Sequence, residues 1–257
     1  LLIIARHSTT HRRLCPVVES GGVVRRVFTV SATDLVFLRE ECPLCFYLKV
    51  VHRLGRPERP LPRIFNTIDA AMKQRLPALL GRGTLPAGRV ATPPGELRSR
   101  RLRAGRVDWV LRGRPDAVVA LDGGGYAVVD FKTADDADAE LAARYSPQLH
   151  AYAWALEQPE PPQAPLGPVR TLGLLVFTPA RFSLRGGDRA GLHGGLRWVP
   201  VARNDNNFRR LLARAAGTLT GAPPLADPRC RWCRYRGASA GAALSSKIIP
   251  ASSQKNR

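Results

Sequence analysis

The chain has 257 residues and a hydrophobic fraction of 44%, enough to bury one large core, so one main domain is expected rather than two small ones. Its 40 Lys and Arg outweigh 20 Asp and Glu to give a net charge of +20, which points to a polyanion partner over a mere arginine-rich bias, because carboxylates in a few short motifs would otherwise be odd islands in a basic protein. No apolar run reaches the roughly 18–20 residues of a transmembrane helix, and five cysteines, an odd count, with no signal-peptide core exclude a secreted disulfide framework and suggest a reducing, cytoplasmic setting.

In chain order, residues 1–30 read as a loose extension with a strand at Val23 to Val30. A main domain over 31–236 begins at Ser31, a plausible N-cap for a helix whose Leu35, Phe37, Leu38 and Cys42 share a face until Pro43 breaks it. Cys45 to Val51 is a second short helix, and Arg53 to Pro62 a loop. The apolar spacing of Ile64 to Leu80 predicts an amphipathic helix with Phe65, Ile68, Met72, Leu76 and Leu79 or Leu80 inward and Asp69 on it. Gly81 to Arg106 is polar and rich in Pro and Gly, a loop or insertion whose arginines from Arg98 to Arg106 would follow a phosphate backbone. Val107 to Leu111 is the first strand of the core sheet.

The stretch 113–132, GRPDAVVALDGGGYAVVDFK, predicts two antiparallel strands around the turn Asp122 to Gly125. Three charges interrupt its apolar runs: Asp116, Asp130 and Lys132. Lone buried charges are costly, so these should be paired or hold a metal. Asp130 and Lys132 are two apart and share a face of a strand, and the hairpin brings Asp116 beside Asp130. Two carboxylates and an amine on one face suit a hard cation and a phosphate.

Thr133 to Asp138 reads as an acidic loop, and Ser146-Pro147 as the start of a helix with Pro at its first position. Gln148 and Tyr152 are four apart and share a face of that helix; His150 points elsewhere and is assigned no role. A Pro-rich loop leads to a buried strand at Val169 to Phe177, and Arg181 to Leu184 with Leu196 to Val201 read as strands joined by a glycine-rich turn. Asn204 to Thr218 is amphipathic, with Phe208, Leu211, Leu212 and Ala215 inside. The tail 237–257 has the composition of a disordered segment.

Cys42 and Cys45 form one Cys-x-x-Cys pair and Cys230 and Cys233 another, with Cys15 left over. Two such pairs at opposite ends of a domain suggest a single four-thiolate site, which zinc and a [4Fe–4S] cluster both accept.

Asp116 in Gly-x-x-Asp, followed by Asp130-Phe131-Lys132 across a hairpin, resembles the signature of the PD-(D/E)XK nuclease superfamily. Gln148-Leu-His-Ala-Tyr152 resembles the Gln-x-x-x-Tyr motif of its RecB-like branch, and the cysteine pairs resemble those of four-cysteine CRISPR-associated exonucleases. The resemblance implies an α/β fold, a restriction-endonuclease-like mixed sheet flanked by helices, with the cysteine pairs brought together. It implies Mg²⁺ or Mn²⁺ on Asp116, Asp130 and the Phe131 backbone carbonyl, Lys132 orienting the attacking water, and Gln148 and Tyr152 steadying the site. It further implies DNA as substrate, single-stranded or end-bearing duplex, a setting in repair, recombination or CRISPR-type processing, and a helicase or repair partner.

Two departures are visible. Where the RecB-like branch carries Gly-x-x-His, this chain has Asn66-Thr-Ile-Asp69, so Asp69 is either a substitute metal ligand or a solvated helix residue. The cysteines depart from a one-plus-three layout, with Ser239 where a third C-terminal cysteine would fall and Cys45 as the replacement ligand; the resemblance favours iron–sulfur over zinc. A catalytically inactive nuclease-fold scaffold that binds DNA is the alternative. A zinc-clipped RNA-binding protein would account for the charge and cysteines but not the carboxylates.

Overall fold

The computed structural model describes residues 25–40, 42–55, 62–83, 85–91, 95–186 and 189–237. Cys15, Ser239 and all of the expected tail but Gly237 lie outside them. Two mixed sheets are flanked by helices, so the expected α/β architecture is present, with its strands divided between two sheets.

The first sheet is built on β5 (Val107–Gly113), which pairs in parallel with β1 (Val27–Ser31) and antiparallel with the short strands β3 (Leu97–Arg98) and β4 (Leu102–Ala104). The second runs β2 (Gly88–Ala91), β6 (Ala117–Leu121), β7 (Tyr126–Thr133), β8 (Val169–Arg185) and β9 (Arg189–Val201), with β7 and β8 parallel. The segment 81–106 is therefore not simply a loop. Its strands are only two to four residues long, too short to show alternation in a polar sequence, yet Leu97 and Leu102 anchor them in the core. Val107 to Leu111 opens the other sheet, not the one that carries the hairpin.

Strand β7 is buried on both faces, which sets the layers. Ala127, Val129 and Phe131 pack with Met72 and Leu76 of α3 (Arg63–Leu79), and Val128 packs into the larger core with Leu149 and Leu156 of α4 (Asp138–Glu157). Each fully buried Val or Leu here contributes roughly 1.5–3 kcal/mol of apolar burial. On α3, Met72 and Leu76 are buried and Ile68 and Leu79 pack half-buried against the same cluster, while Phe65 is exposed.

Ser31 caps α1 (Ala32–Glu40) as expected: its hydroxyl accepts from the Asp34 amide at 3.1 Å, and Asp34 accepts from the Ser31 amide at 3.0 Å. Pro43 opens α2 (Pro43–His52) instead of only ending α1, with Cys42 as its N-cap. Helix α4 starts at Asp138, eight residues before Ser146, so Pro147 lies inside it. The acidic first turn, Asp138 and Glu140, favours that earlier start through the helix dipole, and packing of α4 on both sheets offsets the bond that Pro147 cannot make. Helix α5 (Asp205–Thr220) is capped by Asn204 and buries Phe208, Leu212 and Ala215. His150 is buried and structural: its Nε2 accepts from the Asn204 amide at 2.8 Å and its Nδ1 meets the Ser146 carbonyl at 2.7 Å. β8 is one strand with a register shift at Pro179 to Arg181, not two, so Leu196–Val201 pairs with Leu172–Phe177 and Arg181–Leu184 pairs with Ala190–His193.

Candidate active site

Asp116 lies at the bend just before β6, outside the ladder that runs from Ala117 opposite Val129. From there its Oδ2 accepts the Phe131 amide of β7 at 2.8 Å. Asp130, the residue before, forms an ion pair with Lys132, whose Nζ also donates to the Phe131 carbonyl at 3.2 Å. The backbone of Phe131 is thus held at its amide by Asp116 and at its carbonyl by Lys132. The expected convergence of Asp116, Asp130 and Lys132 is present, with Asp116 arriving from a bend because Pro115 removes the amide a strand would use.

Burial is the first cause of the electrostatics here. Asp130 is 2% exposed, and desolvation, assisted by the nearby Asp116 charge, raises its pKa to about 6 against the pull of Lys132. Burial pushes Lys132 down, but the Asp130 charge outweighs it and the net shift is upward. Lys132 is therefore an ammonium at neutral pH, with its Nζ 4.5 Å from the Tyr145 ring centroid. A buried carboxylate pushed upward beside a second one fits a divalent cation, which would favour the ionised form of both.

Helix α4 supplies the other wall. Gln148 Nε2 donates to Asp130 Oδ1 at 3.0 Å and to the Tyr152 hydroxyl at 3.0 Å. Gln148 thus touches the buried carboxylate directly and Tyr152 acts on it through Gln148. Burial, then the Asp130 charge, pushes the Tyr152 phenol upward, so it stays neutral. Its ring passes close to the end of β5: a Cβ on Gly113, at φ +155°, would lie 2.8 Å from Tyr152 Cε1. A glycine is required there for Tyr152 to reach Gln148.

Helix α3 brings Asp69, and with it a residue that sequence reading missed. Lys73 Nζ bridges Asp69 Oδ2 at 2.8 Å and Asp116 Oδ1 at 3.0 Å. Burial pushes Lys73 down, but Asp69 and Asp116 outweigh it and raise it. Asp69 thus meets Asp116 through Lys73. The signal was the Asp-x-x-x-Lys spacing, four residues on one helix face, beside a residue already singled out.

The four cysteines meet elsewhere in the fold. Cys42 and Cys233 Sγ are 3.3 Å apart, Cys45 and Cys230 3.7 Å, and Cys45 and Cys233 3.9 Å. All four sulfurs lie within 4.8 Å of one another, so they can hold one metal centre. The Cys45 amide donates to Cys42 Sγ at 3.4 Å and Arg236 Nη1 to Cys45 Sγ at 3.3 Å, donors that favour thiolates. Burial, with Cys42 as the next cause, pushes the Cys45 thiol upward, whereas hydrogen bonds offset burial at Cys230 and bring it to about 7.

The arginines between 98 and 106 brace the fold more than sequence suggests. Arg98 pairs with Glu160 at 2.5 Å, Arg100 donates to the Pro159 carbonyl at 3.2 Å, and Arg103 lies 4.0 Å from Asp108.

Residues 66–238 match the model of a family described as the PD-(D/E)XK nuclease superfamily. No curated protein matches. A solved structure described as "Crystal structure of SSO0001" is similar, with 18% sequence identity, a TM-score of 0.44, and coverage of 87% of this chain and 86% of that one. The family match spans well over half of the chain, from α3 past Cys233, and the two mixed sheets with flanking helices form the restriction-endonuclease-like arrangement of that family. The chain therefore belongs to the PD-(D/E)XK nuclease superfamily.

Proposed function

We propose that the protein is a Mg²⁺- or Mn²⁺-dependent deoxyribonuclease. The observation that carries this reading is the Phe131 backbone held at its amide by Asp116 and at its carbonyl by Lys132, with the buried Asp130 ion-paired to Lys132. Asp116, Asp130 and the Phe131 carbonyl would hold the divalent ion, which when bound lowers the pKa of a water and polarises the phosphate. Lys132, fixed as an ammonium, orients that water and offsets negative charge as it grows on the phosphorane. Gln148 holds the Asp130 carboxylate in place, and Tyr152 holds Gln148. Asp69 acts through Lys73 rather than as a direct ligand.

The cysteines are read as one structural metal centre at the fold's closure. Tetrahedral zinc with 2.3 Å bonds places sulfurs about 3.8 Å apart, close to the three pairs at 3.3–3.9 Å, with all four sulfurs within 4.8 Å of one another. That spacing is nearer to zinc than to the iron–sulfur cluster implied by the resemblance, whose thiolates stand farther apart. Resemblance at Gln148-Leu-His-Ala-Tyr152 and at the cysteine pairs supports the RecB-like branch and work in repair, recombination or CRISPR-type processing beside a helicase or repair partner. Among the described residues, no helix is long and apolar enough to cross a membrane.

A second reading, an inactive scaffold that binds DNA, is favoured by Asn66 and Asp69 in place of Gly and His and by Lys73 on Asp116. Purified protein with end-labelled single- and double-stranded DNA separates the two. Cleavage is expected with Mg²⁺ or Mn²⁺ and not with chelator. Lys132→Ala should reduce the rate by about 10²–10³-fold, the scale of losing one charge-stabilising donor, while DNA binding persists. Binding by wild type without cleavage under any metal establishes the scaffold; cleavage by Lys132→Ala at the wild-type rate removes the catalytic assignment.

A further inference from the structure

Strand pairing carries one face of the carboxylate site across the sheet and then beyond it. Asp130 and Lys132 of β7 stand opposite Leu174 and Val176 of β8, which in turn stand opposite Val199 and Arg197 of β9. Residues directly opposite on neighbouring strands share a face. Burial agrees with the pairing. Leu174, Val176 and Val199 pack into the core that holds Leu149 and Leu156 of α4, whereas Phe131, Leu175 and Trp198 pack with Met72 and Leu76 of α3. Arg197 therefore lies on the same side of the sheet as Lys132, two strands away, or roughly 10 Å at ordinary strand spacing.

The hairpin then leaves the sheet. β7 ends at Thr133, opposite Phe177, while β8 continues to Arg185 and β9 begins at Arg189. The two strands form an arm that pairs only with itself among the described residues. Arg197 holds its root, donating to the Asp138 carboxylate at 2.8 Å, to the Asp136 carbonyl at 2.8 Å and to the Thr178 hydroxyl. β9 keeps its register through the arm, so His193 and Arg189 stay on the side of Arg197. β8 carries an extra residue between Pro179 and Arg181, which sets Arg181 opposite His193 and Arg185 opposite Arg189. Without that residue Arg181 would turn to the α3 side of the sheet. Phe182, Leu184 and Leu192 occupy the α3 side instead.

The α4 side of the arm is thus a cationic ribbon. Arg181, Arg185, Arg189 and His193 fall on it by pairing, and Arg181 and Arg189 are exposed. No Asp or Glu occurs on β8 or β9. Acids at the root are paired, Asp136 with Arg144 and Asp138 with Arg197; Asp188, in the turn, lies outside the described residues. This side of the arm also carries no Phe, Tyr or Trp.

We propose that this side of the arm holds the sugar–phosphate backbone of duplex DNA flanking the phosphate at the Asp116–Asp130 site. The inference rests on the nuclease reading for its choice of polyanion, and adds to it a contact surface outside the site. A row of cations on the side of the sheet that carries Lys132 lets one backbone pass both. The lack of aromatic rings on that side selects the duplex. Surfaces for single strands combine cations with rings that stack bases, whereas a duplex turns its bases inward and offers phosphates. A second copy of a chain with net charge +20 would meet this side with like charge. Spacing sets the reach. His193 and Arg189 lie four and eight residues beyond Arg197 (197 − 193 and 197 − 189), roughly 13 and 26 Å along the strand. At about 3.4 Å per base pair, the arm covers roughly four to eight base pairs on one side of the site.

Fluorescence anisotropy in chelator, with salt varied between about 50 and 200 mM, tests this on a duplex and a single strand of equal length. Each phosphate contact adds about 0.9 to the slope of log affinity against log salt. The double variant Arg181→Ala, Arg189→Ala, checked for fold by circular dichroism, should bind duplex more weakly, with a slope shallower by about 1.8. Arg181→Lys with Arg189→Lys should keep the wild-type slope, because the charge remains. Phe182→Ala, on the opposite side of the arm, should bind duplex like wild type. A double alanine variant with the wild-type slope overturns the proposal, and so does an equal loss from Phe182→Ala. A slope that falls as far for the single strand as for the duplex overturns the choice of duplex. A wild type that sediments as a dimer, with the double alanine variant a monomer, gives the surface to a second copy and overturns it too. If any of these occurs while wild type cuts DNA with Mg²⁺ or Mn²⁺, the nuclease reading survives. If wild type holds duplex through the two arginines yet cuts no DNA with either metal, the nuclease reading falls and the arm's contact stands.

Discussion

Asp130 concentrates a conflict between burial and charge. It is 2% exposed, and it is bonded to Gln148 and ion-paired with Lys132. Its pKa is raised from 3.8 to about 6, chiefly by burial. A raised folded-state pKa means that the fold prefers the protonated carboxyl. The stability from that preference is complete below 3.8 and is lost as pH rises through about 6. In chelator, wild type should therefore lose stability relative to Asp130→Asn across that window, by roughly 3 kcal/mol in full. Saturating Mn²⁺ should remove the loss, because a bound cation favours the carboxylate. Denaturant unfolding of both proteins across the window reads the difference directly, and a difference that stays flat with pH would make Asp130 an ordinary paired carboxylate.

At the scale of elements, α3 is the decisive one, because it joins three features along its length. One stripe packs Met72 and Leu76 on the sheet, a second holds Asp69 and Lys73, and a third, from Ile64 to Arg75, walls an apolar groove shared with Leu192 and Leu196 of β9. Lys73 places a positive charge 3.0 Å from Asp116, where it competes with any divalent ion that uses the same carboxylate. Lys73→Met should tighten Mn²⁺ binding by on the order of tenfold, a modest figure because the half-exposed ammonium is screened by solvent. Isothermal titration checks this. Weaker binding in the variant would show instead that Lys73 positions Asp116 for the ion. The i,i+4 spacing of Asp69 and Lys73 was legible, but their partner Asp116 was not, since it lies 43 residues beyond Lys73 (116 − 73).

For the whole molecule, the cysteines close the chain on itself. Cys45 meets Cys230 across 185 residues and Cys42 meets Cys233 across 191. A clip around a loop of that length restricts the unfolded chain by on the order of 5 kcal/mol. Cys42 and Cys45 sit on one turn of α2, held by the Cys42 cap, so the N-terminal half of the site is preformed. Metal removal or Cys233→Ser should destabilise the fold by a few kcal/mol while leaving the carboxylate site's residues in place, because those lie on α3, the bend before β6, β7 and α4. Anaerobic purification with metal analysis identifies the centre: one equivalent of zinc in a colourless protein, or iron and sulfide in equal amounts in a brown one. A protein that holds neither, with Cys→Ser variants as stable as wild type, would mean that the thiols share no metal.

Local chemistry alone determined several features of this protein. Ser31 capping, the turn at Asp122 to Gly125 and the shared face of Asp130 and Lys132 follow from spacing and residue type within a few positions. The paired cysteines likewise announce a shared site, because two thiols three residues apart are already neighbours on a helical turn. Tertiary structure decided the rest, and in each case the cause was a partner distant in sequence. Pro147 lies within α4 because packing on two sheets outweighs one lost hydrogen bond. The short strands of 81–106 exist because buried neighbours pair with them, not because of any pattern of their own. The contacts of Lys73 and Gly113 depend on which side chain lies opposite each of them, Asp116 in one case and Tyr152 in the other. Periodicity carries no information about what stands across a gap, so only the folded chain could supply those partners.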